Sequence, residues 1–234
     1  MDRRRFIKLC SSALALAGIR PDLAGASEGP LQRRKRVRLV DAAGKSLGPG
    51  DLELDKAYVF FYPFAGTPCY LIRLGTLTRS ETLKTENGTA YEWKGGAGPN
   101  RNVVAFSAIC THLLTHPTRK ISFINYHSQA DKLSGRENVI SCCAHGSVFD
   151  PARGAKVLSG PATQPLPAIA LEHNEQDGAL YAVGTVGADV FEDFFDDFKG
   201  ELREEHGRGK ARQEVKGAAL VTALNDYTGH KIPC

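Results

Sequence analysis

The chain has 234 residues, which is the length of one ordinary domain with or without extensions. Apolar residues make up 42% of it and charged residues 24%, a globular composition that excludes a disordered chain. The 30 basic and 26 acidic side chains leave a net charge of +4, which is too balanced to indicate nucleic-acid binding. No apolar stretch reaches the roughly 18 residues of a transmembrane helix, which excludes a polytopic membrane protein.

Residues 1–26 have the layout of an export signal. Paired arginines precede Phe6 and Lys8, a short apolar run follows from residue 9 to residue 19, and the small residues Ala24-Gly25-Ala26 end the segment. The pattern resembles a twin-arginine signal, which carries folded and often cofactor-loaded proteins to the periplasm. A basic arm on a cytosolic protein is the alternative. An uncleaved signal would tether the chain to a membrane.

The next part of the chain is predicted to be mainly β. It begins with a second basic run at residues 33–38, which we expect to be a solvated arm. Docking on anionic lipid or on an acidic partner is the alternative. Short runs rich in Val, Ile, Tyr and Phe then alternate with Gly, Pro and Asn, which predicts an antiparallel β sandwich or barrel. The runs lie at residues 57–62, 70–74, 103–108, 139–142, 168–171 and 180–183.

Two short motifs carry the candidate chemistry. The first is Cys110-Thr111-His112, and the second is Cys142-Cys143-Ala144-His145-Gly146-Ser147. Each motif offers one thiolate and one imidazole to a metal centre. Together they could bind zinc tetrahedrally, or a two-iron cluster in which two His replace two Cys on one iron. A zinc finger usually presents both cysteines from one loop, so one Cys and one His from each loop favours the cluster.

The pair of motifs, Cys-x-His and Cys-x-x-His, resembles that of the Rieske [2Fe–2S] proteins. Gly146-Ser147 repeats the family's His-Gly-Ser, and Gly160-Pro161 is similar to the proline-containing loop that closes over the cluster. The resemblance implies one [2Fe–2S] cluster per chain, held by a small cluster-binding subdomain of a Rieske-type β sandwich or barrel. It implies a Rieske domain over residues 27–186, with the cluster-binding part at about 105–165, and a C-terminal extension over 187–234.

The resemblance also implies a role for each residue of the two motifs. Cys110 and Cys142 would bind the buried iron. His112 and His145 would bind the outer iron, which is then the electron port. Ser147 corresponds to a residue whose hydroxyl donates to a bridging sulfide and raises the reduction potential.

Departures from the family pattern predict an intermediate potential. High-potential members carry a disulfide between the two motifs, and the corresponding residues here are Thr115 and Ala144. A tyrosine that donates to a ligand sulfur corresponds to Phe149, which has no hydroxyl. We therefore expect a disulfide-less variant whose potential lies within the roughly −150 to +300 mV of Rieske centres.

The segment between the motifs is longer than is usual in the family. Its extra part, residues 117–137, carries several cations and is expected near the cluster tip, either as a docking surface or as a tolerated insertion. Among the other thiols, Cys69 and Cys234 are expected to pair in an oxidising compartment. The remaining histidines, His116 and His127 among them, are expected on the surface.

The C-terminal extension contains a predicted amphipathic helix at residues 189–205. Its apolar residues repeat at helical spacing and are surrounded by acidic side chains. The apolar stripe is Val190, Phe191, Phe194, Phe195, Phe198 and Leu202. This stripe would pack on its own domain or dock on a partner subunit.

A Rieske cluster moves one electron and does not by itself transform a substrate. The resemblance therefore implies an exported electron-transfer subunit that connects a redox enzyme or quinol with a c-type cytochrome. The alternatives are a quinol-oxidising Rieske subunit of a cytochrome bc-type complex, a zinc-binding structural module, and an oxygenase component, whose second iron site we do not find in the sequence. We expect a redox-protein partner, no nucleic acid, and only peripheral membrane contact.

Overall fold

The computed structural model describes residues 31–234, so the predicted signal at residues 1–26 lies outside the described part. The described part is mainly β, as expected, with three short helices. The strands are β1 (Gln32–Val40), β2 (Ala57–Phe61), β3 (Pro68–Arg73), β4 (Glu81–Lys84), β5 (Ala90–Trp93), β6 (Val103–Ser107), β7 (Ile124–His127), β8 (Val139–Cys142), β9 (Ser147–Asp150), β10 (Lys156–Ser159), β11 (Ala168–His173), β12 (Leu180–Val186), β13 (Gly217–Leu220) and β14 (Thr222–Ala223). The α-helices are α1 (Phe191–Asp197), α2 (Lys199–His206) and α3 (Leu224–Tyr227), and short 3-10 turns lie at Pro49–Asp51 and Pro151–Arg153.

The strands form one large sheet and two small ones. The large sheet has eight strands in the order β13-β1-β12-β11-β6-β3-β2-β14, and the second sheet has four strands in the order β10-β9-β8-β7. Strands β4 and β5 make a separate hairpin. Among the described pairings between these strands, only β1 with β13 is parallel. The second motif therefore lies on the four-stranded sheet, between β8 and β9.

Strand β3 is buried on both faces because the large sheet separates two hydrophobic cores. Side chains alternate between the faces of a strand. Tyr70 and Ile72 belong to the core that also contains the second motif's Cys142. Cys69 and Leu71 point to the other core, which includes residues of β1 and β12. The buried thiols of Cys69 and Cys142 therefore lie in different cores, on opposite sides of the large sheet.

The basic run is a strand, so the expectation of a solvated arm is wrong. Residues 33–38 lie in β1, which pairs with both β12 and β13. Val37 and Leu39 alternate with the cations and are fully buried. The guanidinium carbon of Arg36 lies 3.3 Å from the ring centroid of Tyr181, so this cation packs on the sheet. The alternating apolar residues indicate a strand, but the many cations between them favoured the interpretation as a solvated arm.

The predicted C-terminal helix forms as two short helices, α1 and α2, which meet at Phe198. The apolar stripe is confirmed. Phe191, Phe194 and Leu202 are buried in a third core together with Ile109, which precedes the first motif. The stripe therefore packs on its own domain, beside the candidate metal centre. Within residues 31–234 no helix has the length and apolar character needed to cross a bilayer.

Candidate metal centre

Both motifs lie in tight turns that bring their ligand atoms to one end of the four-stranded sheet. In the first motif, the N–H of Leu114 donates to the carbonyl of Cys110 at 2.9 Å, and Leu114 adopts a left-handed φ of 54°. In the second motif, the N–H of Gly146 donates to the carbonyl of Cys142 at 2.8 Å, and Gly146 has a φ of 84°. A residue without a Cβ adopts this conformation at no steric cost, which accounts for the glycine after His145.

The structure brings the two predicted thiols together and the two predicted imidazoles together. Cys110 and Cys142 are 1% and 0% exposed, and their thiols hydrogen-bond to each other. The ring centroids of His112 and His145 are 5.0 Å apart, with the rings at 78° to each other. His112 is half-buried and His145 is exposed. The site is therefore polarised, with its sulfurs inside and its imidazoles toward solvent.

An unpartnered nitrogen and a lowered thiol pKa both fit a metal at this site. The Nδ1 atom of His112 is buried and, among the described residues, has no hydrogen-bond partner. A buried polar atom without a partner is costly, and a metal bond would remove that cost. The pKa of Cys142 is lowered to about 7 because its sulfur accepts hydrogen bonds from the thiol of Cys110 and from the backbone N–H groups of Ala144 and His145. Thiolate is the form that binds metals.

The same interaction has the opposite effect on Cys110. Its pKa is raised, because its thiol is the donor to Cys142 and because it is buried. A metal would replace the shared proton and bind both sulfurs as thiolates. Two thiolates and two imidazoles suit a two-iron cluster, and by donor chemistry alone they also suit zinc.

The predicted proline loop lies against the second motif. A Cβ atom built on Gly160 would lie 2.3 Å from the carbonyl oxygen of Gly146 and 2.5 Å from the Cα of Ser147, so only glycine fits there. Ser147 is fully buried, and its Oγ accepts a hydrogen bond from the N–H of Ala162 at 3.1 Å. The hydroxyl hydrogen of Ser147 remains available to donate toward the metal centre. Pro161, the next residue of this loop, is exposed.

Two contacts of the first motif were not expected from the sequence. Thr111 Oγ1 donates to the carbonyl of Gln164 at 2.7 Å, which joins the first motif to the proline loop. His116 is only 9% exposed, so the expectation that it lies on the surface is wrong. Its ring makes edge contacts with Phe194 and Phe198 at centroid distances of 4.8 and 4.7 Å. Aromatic residues of the C-terminal extension thereby support the loop that carries His112.

The long segment between the motifs supplies a strand and an exposed leucine. Residues 124–127 form β7, which pairs with β8 at the edge of the four-stranded sheet. Leu133 is 45% exposed, and its Cδ1 lies 3.7 Å from the position that a Cβ on Gly146 would occupy. Part of this segment is therefore sheet, and another part lies next to the second motif.

The expected pairing of Cys69 with Cys234 is wrong. Cys234 forms a disulfide with Cys143, which is the residue after the candidate ligand Cys142. Cys69 is free and fully buried, and its thiol donates to the carbonyl of Tyr62 at 3.0 Å. This bond is not the one that joins the two motifs in high-potential Rieske proteins, whose positions are Thr115 and Ala144 here, but it places a disulfide beside the second motif. Nothing in the local sequence indicated it, because the two cysteines are 91 positions apart.

Comparison with known proteins supports the resemblance of the two motifs to a Rieske site. Residues 82–170 match the family model described as Rieske [2Fe-2S] domain. The iodate reductase subunit IdrB of Denitromonas iodatirespirans is 28% identical over 187 residues, which cover 80% of this chain and 82% of the relative. IdrB of Pseudomonas sp. (strain SCT) is 28% identical over 190 residues, covering 80% of each chain.

One solved structure also matches part of this chain. It is the soluble domain of the Rieske protein II (soxF) from Sulfolobus acidocaldarius, with a TM-score of 0.49 and 26% identity over 67% of this chain and 82% of that one. The match of residues 82–170 covers both motifs and the proline loop. The cofactor of the chain is therefore a Rieske-type [2Fe–2S] cluster rather than zinc.

Proposed function

We propose that this chain, with its Rieske [2Fe–2S] domain, is the electron-transfer subunit of an exported oxidoreductase and passes single electrons between a larger catalytic subunit and a c-type cytochrome. The observation that carries the proposal is the polarised site, in which the thiols of Cys110 and Cys142 are buried and His145 is exposed. The similarity to two proteins named as subunits of iodate reductase supports a role within a multi-subunit enzyme.

Each motif residue then has a defined task. In this proposal Cys110 and Cys142 would hold the inner iron, and His112 and His145 would hold the outer iron. When bound, the cluster takes up and releases one electron at a time. The exposed ring of His145 gives a partner close access to the outer iron. The Ser147 hydroxyl would donate toward the bound centre and stabilise its more negative, reduced form.

The surface around His145 is suited to docking. Leu113 is 56% exposed and directly follows His112, and Leu133 is 45% exposed beside Gly146. Exposed cations in the same segment as Leu133 are Lys132 and Arg136. We call the exposed side chains of Leu113, Leu133 and His145 the tip surface. Its partner is expected to present an apolar patch with acidic residues around it, because such a patch complements both the leucines and the cations.

Export to the periplasm completes the proposal. It is supported by the layout of residues 1–26 and is consistent with the Cys143–Cys234 disulfide, since disulfides persist in oxidising compartments.

A quinol-oxidising subunit of a cytochrome bc-type complex is the competing function. The two functions share the cytochrome and differ in the other redox partner, which is a catalytic subunit in the first and quinol in the second.

The first experiment is a redox titration of the purified protein followed by electron paramagnetic resonance. We expect a signal of a reduced [2Fe–2S] cluster with mixed Cys and His ligation, and its loss in the variants Cys142→Ser and His145→Ala. A colourless protein that contains zinc would refute the proposal. A signal that survives both substitutions would refute the ligand set.

The second experiment tests the tip surface and the electron donor. Stopped-flow measurements follow oxidation of the reduced protein by a soluble c-type cytochrome, and in a separate arm its reduction by a soluble quinol. We expect Leu133→Ala to slow the reaction with the cytochrome several-fold. Leu220→Ala, which removes a leucine of 52% exposure from β13, is the matched control and should leave the rate unchanged. Rapid reduction by quinol would favour the competing function.

A further inference from the structure

The last described segment, residues 228–234, packs against the second motif although it lies outside the matched Rieske domain. We call it the tail segment. Its backbone bonds to the chain that precedes β7: the N–H of Ser122 donates to the carbonyl of His230 at 2.8 Å, and the N–H of Ile232 donates to the carbonyl of Ser122 at 2.9 Å. Farther along, the N–H of Lys132 donates to the carbonyl of Cys234 at 3.2 Å. The tail segment thus bonds at two separate places, Ser122 and Lys132, to the chain that connects the two motifs.

The tail segment has little apolar anchoring of its own. Gly229, His230, Lys231 and Pro233 are exposed, and Ile232 is half-buried. Hydrogen bonds to the buried residues Ser122 and Asn125 hold the middle of the segment, and the side-chain amide of Asn125 donates to the carbonyl of Ile232 at 3.1 Å. A hydrogen bond contributes only about 0.5–1.5 kcal/mol net. The covalent bond between Cys143 and Cys234 is therefore the strongest single contact that secures the end of the tail segment.

The tail segment is connected to the ligand Cys142 by two routes. The disulfide fixes Cys143, the next residue in the chain. In the second route, the N–H of Cys143 donates to the carbonyl of Phe123 at 2.7 Å, next to the residue that the tail segment pairs with. Movement of the tail segment would therefore loosen the turn whose N–H groups, from Ala144 and His145, bond to the sulfur of Cys142.

We propose that the Cys143–Cys234 disulfide is a redox-sensitive clamp that holds the second motif and retains the cluster. Closing the clamp joins the two sulfurs and releases two electrons and two protons, which a disulfide oxidant takes up as its own S–S bond becomes two thiols. Opening it by a dithiol or a phosphine reverses the change in the two cysteines. Cys143 and Cys234 are positioning residues in this proposal, and the proposal rests on Cys142 being a cluster ligand.

The surroundings of the bond allow a reductant to reach it. Cys143, Cys234 and His127 are all half-buried, and Cys234 Sγ lies 3.8 Å from His127 Nε2. The donor atoms of these three residues lie within 4.8 Å of one another. Both sulfurs are used in the disulfide, so this group does not form a second metal site in the oxidised protein.

The test compares the wild-type holoprotein with Cys234→Ser, each with and without a phosphine reductant. Loss of the visible absorption of the cluster to an iron chelator gives the rate of cluster release, and mass spectrometry after alkylation counts free thiols. We expect release from Cys234→Ser to be roughly tenfold faster or more, because the bond constrains a long loop. Reduced wild type should match the variant, and the variant should not respond to the phosphine. Cys69→Ser, which removes a cysteine outside the clamp, is the control.

A second readout separates the clamp from a general effect on folding. Because the clamp orients N–H groups that bond to Cys142, opening it should lower the midpoint potential of the cluster. It should also speed hydrogen exchange at residues 144–146. The electron paramagnetic resonance signal should keep the form expected for mixed Cys and His ligation. Equal release rates in wild type and Cys234→Ser, or two alkylatable thiols at these positions in the oxidised protein, would overturn the clamp. Absence of any cluster in the wild type would instead overturn the assignment of the cofactor.

Discussion

Replacing Gly160 by alanine tests whether the proline loop and the second motif are held in direct contact. Gly160 has a φ of 90°, and an added Cβ would lie 2.3 Å from the Gly146 carbonyl oxygen and 2.5 Å from the Cα of Ser147. Gly44 provides a matched control, since it has a φ of 78° and an added Cβ would have nothing within 4 Å. Both substitutions force an alanine into the left-handed backbone region, but only Gly160→Ala also brings its Cβ atom too close to other backbone atoms.

The expected magnitudes follow from these two terms. Forcing alanine into the left-handed region costs about 1–2 kcal/mol in each variant. The collision at Gly160 involves backbone atoms that cannot rotate away, and overpacking of this kind costs about 1–3 kcal/mol more. Gly160→Ala is therefore expected to lower the free energy of unfolding by about 2–5 kcal/mol, against about 1–2 kcal/mol for Gly44→Ala.

Urea unfolding of the holoprotein measures both values, and the decay of visible absorption in the presence of a chelator measures cluster release. Gly160→Ala should also release its cluster faster than wild type, because the displaced loop uncovers Ser147. Gly44→Ala should release it at the wild-type rate. Equal destabilisation in the two variants would refute the close contact, and so would a wild-type rate of release in Gly160→Ala.

Three further substitutions test other contacts of the site. Ser147→Ala removes a hydroxyl donor to the reduced centre. A spectroscopic redox titration should show a midpoint potential lower by about 60 mV, which corresponds to about 1.4 kcal/mol for one electron. Phe194→Ala should lower the free energy of unfolding, measured in urea, by about 3–5 kcal/mol. It should also speed cluster release, because the first motif loses a packing contact. An unchanged release rate would show that this helix does not support the site. The pKa of His116 is lowered by burial from 6.5, so the unfolded chain takes up the proton first as the pH falls. Stability should therefore decline below about pH 6.5 by up to about 1.4 kcal/mol per pH unit, and urea titrations should show a shallower decline in His116→Gln.

The sequence predicts best the features that depend on neighbouring residues. The ligand pairs Cys110 with His112 and Cys142 with His145 are close in the chain, so the turn that presents each pair is encoded within a few positions. The strand at residues 139–142 was located from its composition alone and has those bounds in the structure. Alternation and turn residues act over the same short range, which is why the mainly β fold was also predictable.

The features that were missed depend on distant residues or on competing signals. The partner of Cys143 lies 91 positions away, and only the fold shows that Cys69 points into a different core. His116 is buried by Phe194 and Phe198, whose own helices were predicted without a known packing partner. In β1 the cations outnumber the apolar residues, so the charge of this run indicated a solvated arm more strongly than the alternation of Val37 and Leu39 indicated a strand.

The strand order of the large sheet has a consequence for modularity. Strand β6, inside the matched residues 82–170, lies between β11 and β3, and β12, β1 and β13 follow outward beyond β11. Strands from before and after the matched region thus flank β6 and β11 on both sides. A fragment limited to residues 82–170 would expose both long edges of its strands and lose the helices and tail segment that support the two motifs. The smallest autonomous unit able to carry the cluster is therefore expected to be larger than the segment that matches the Rieske family model.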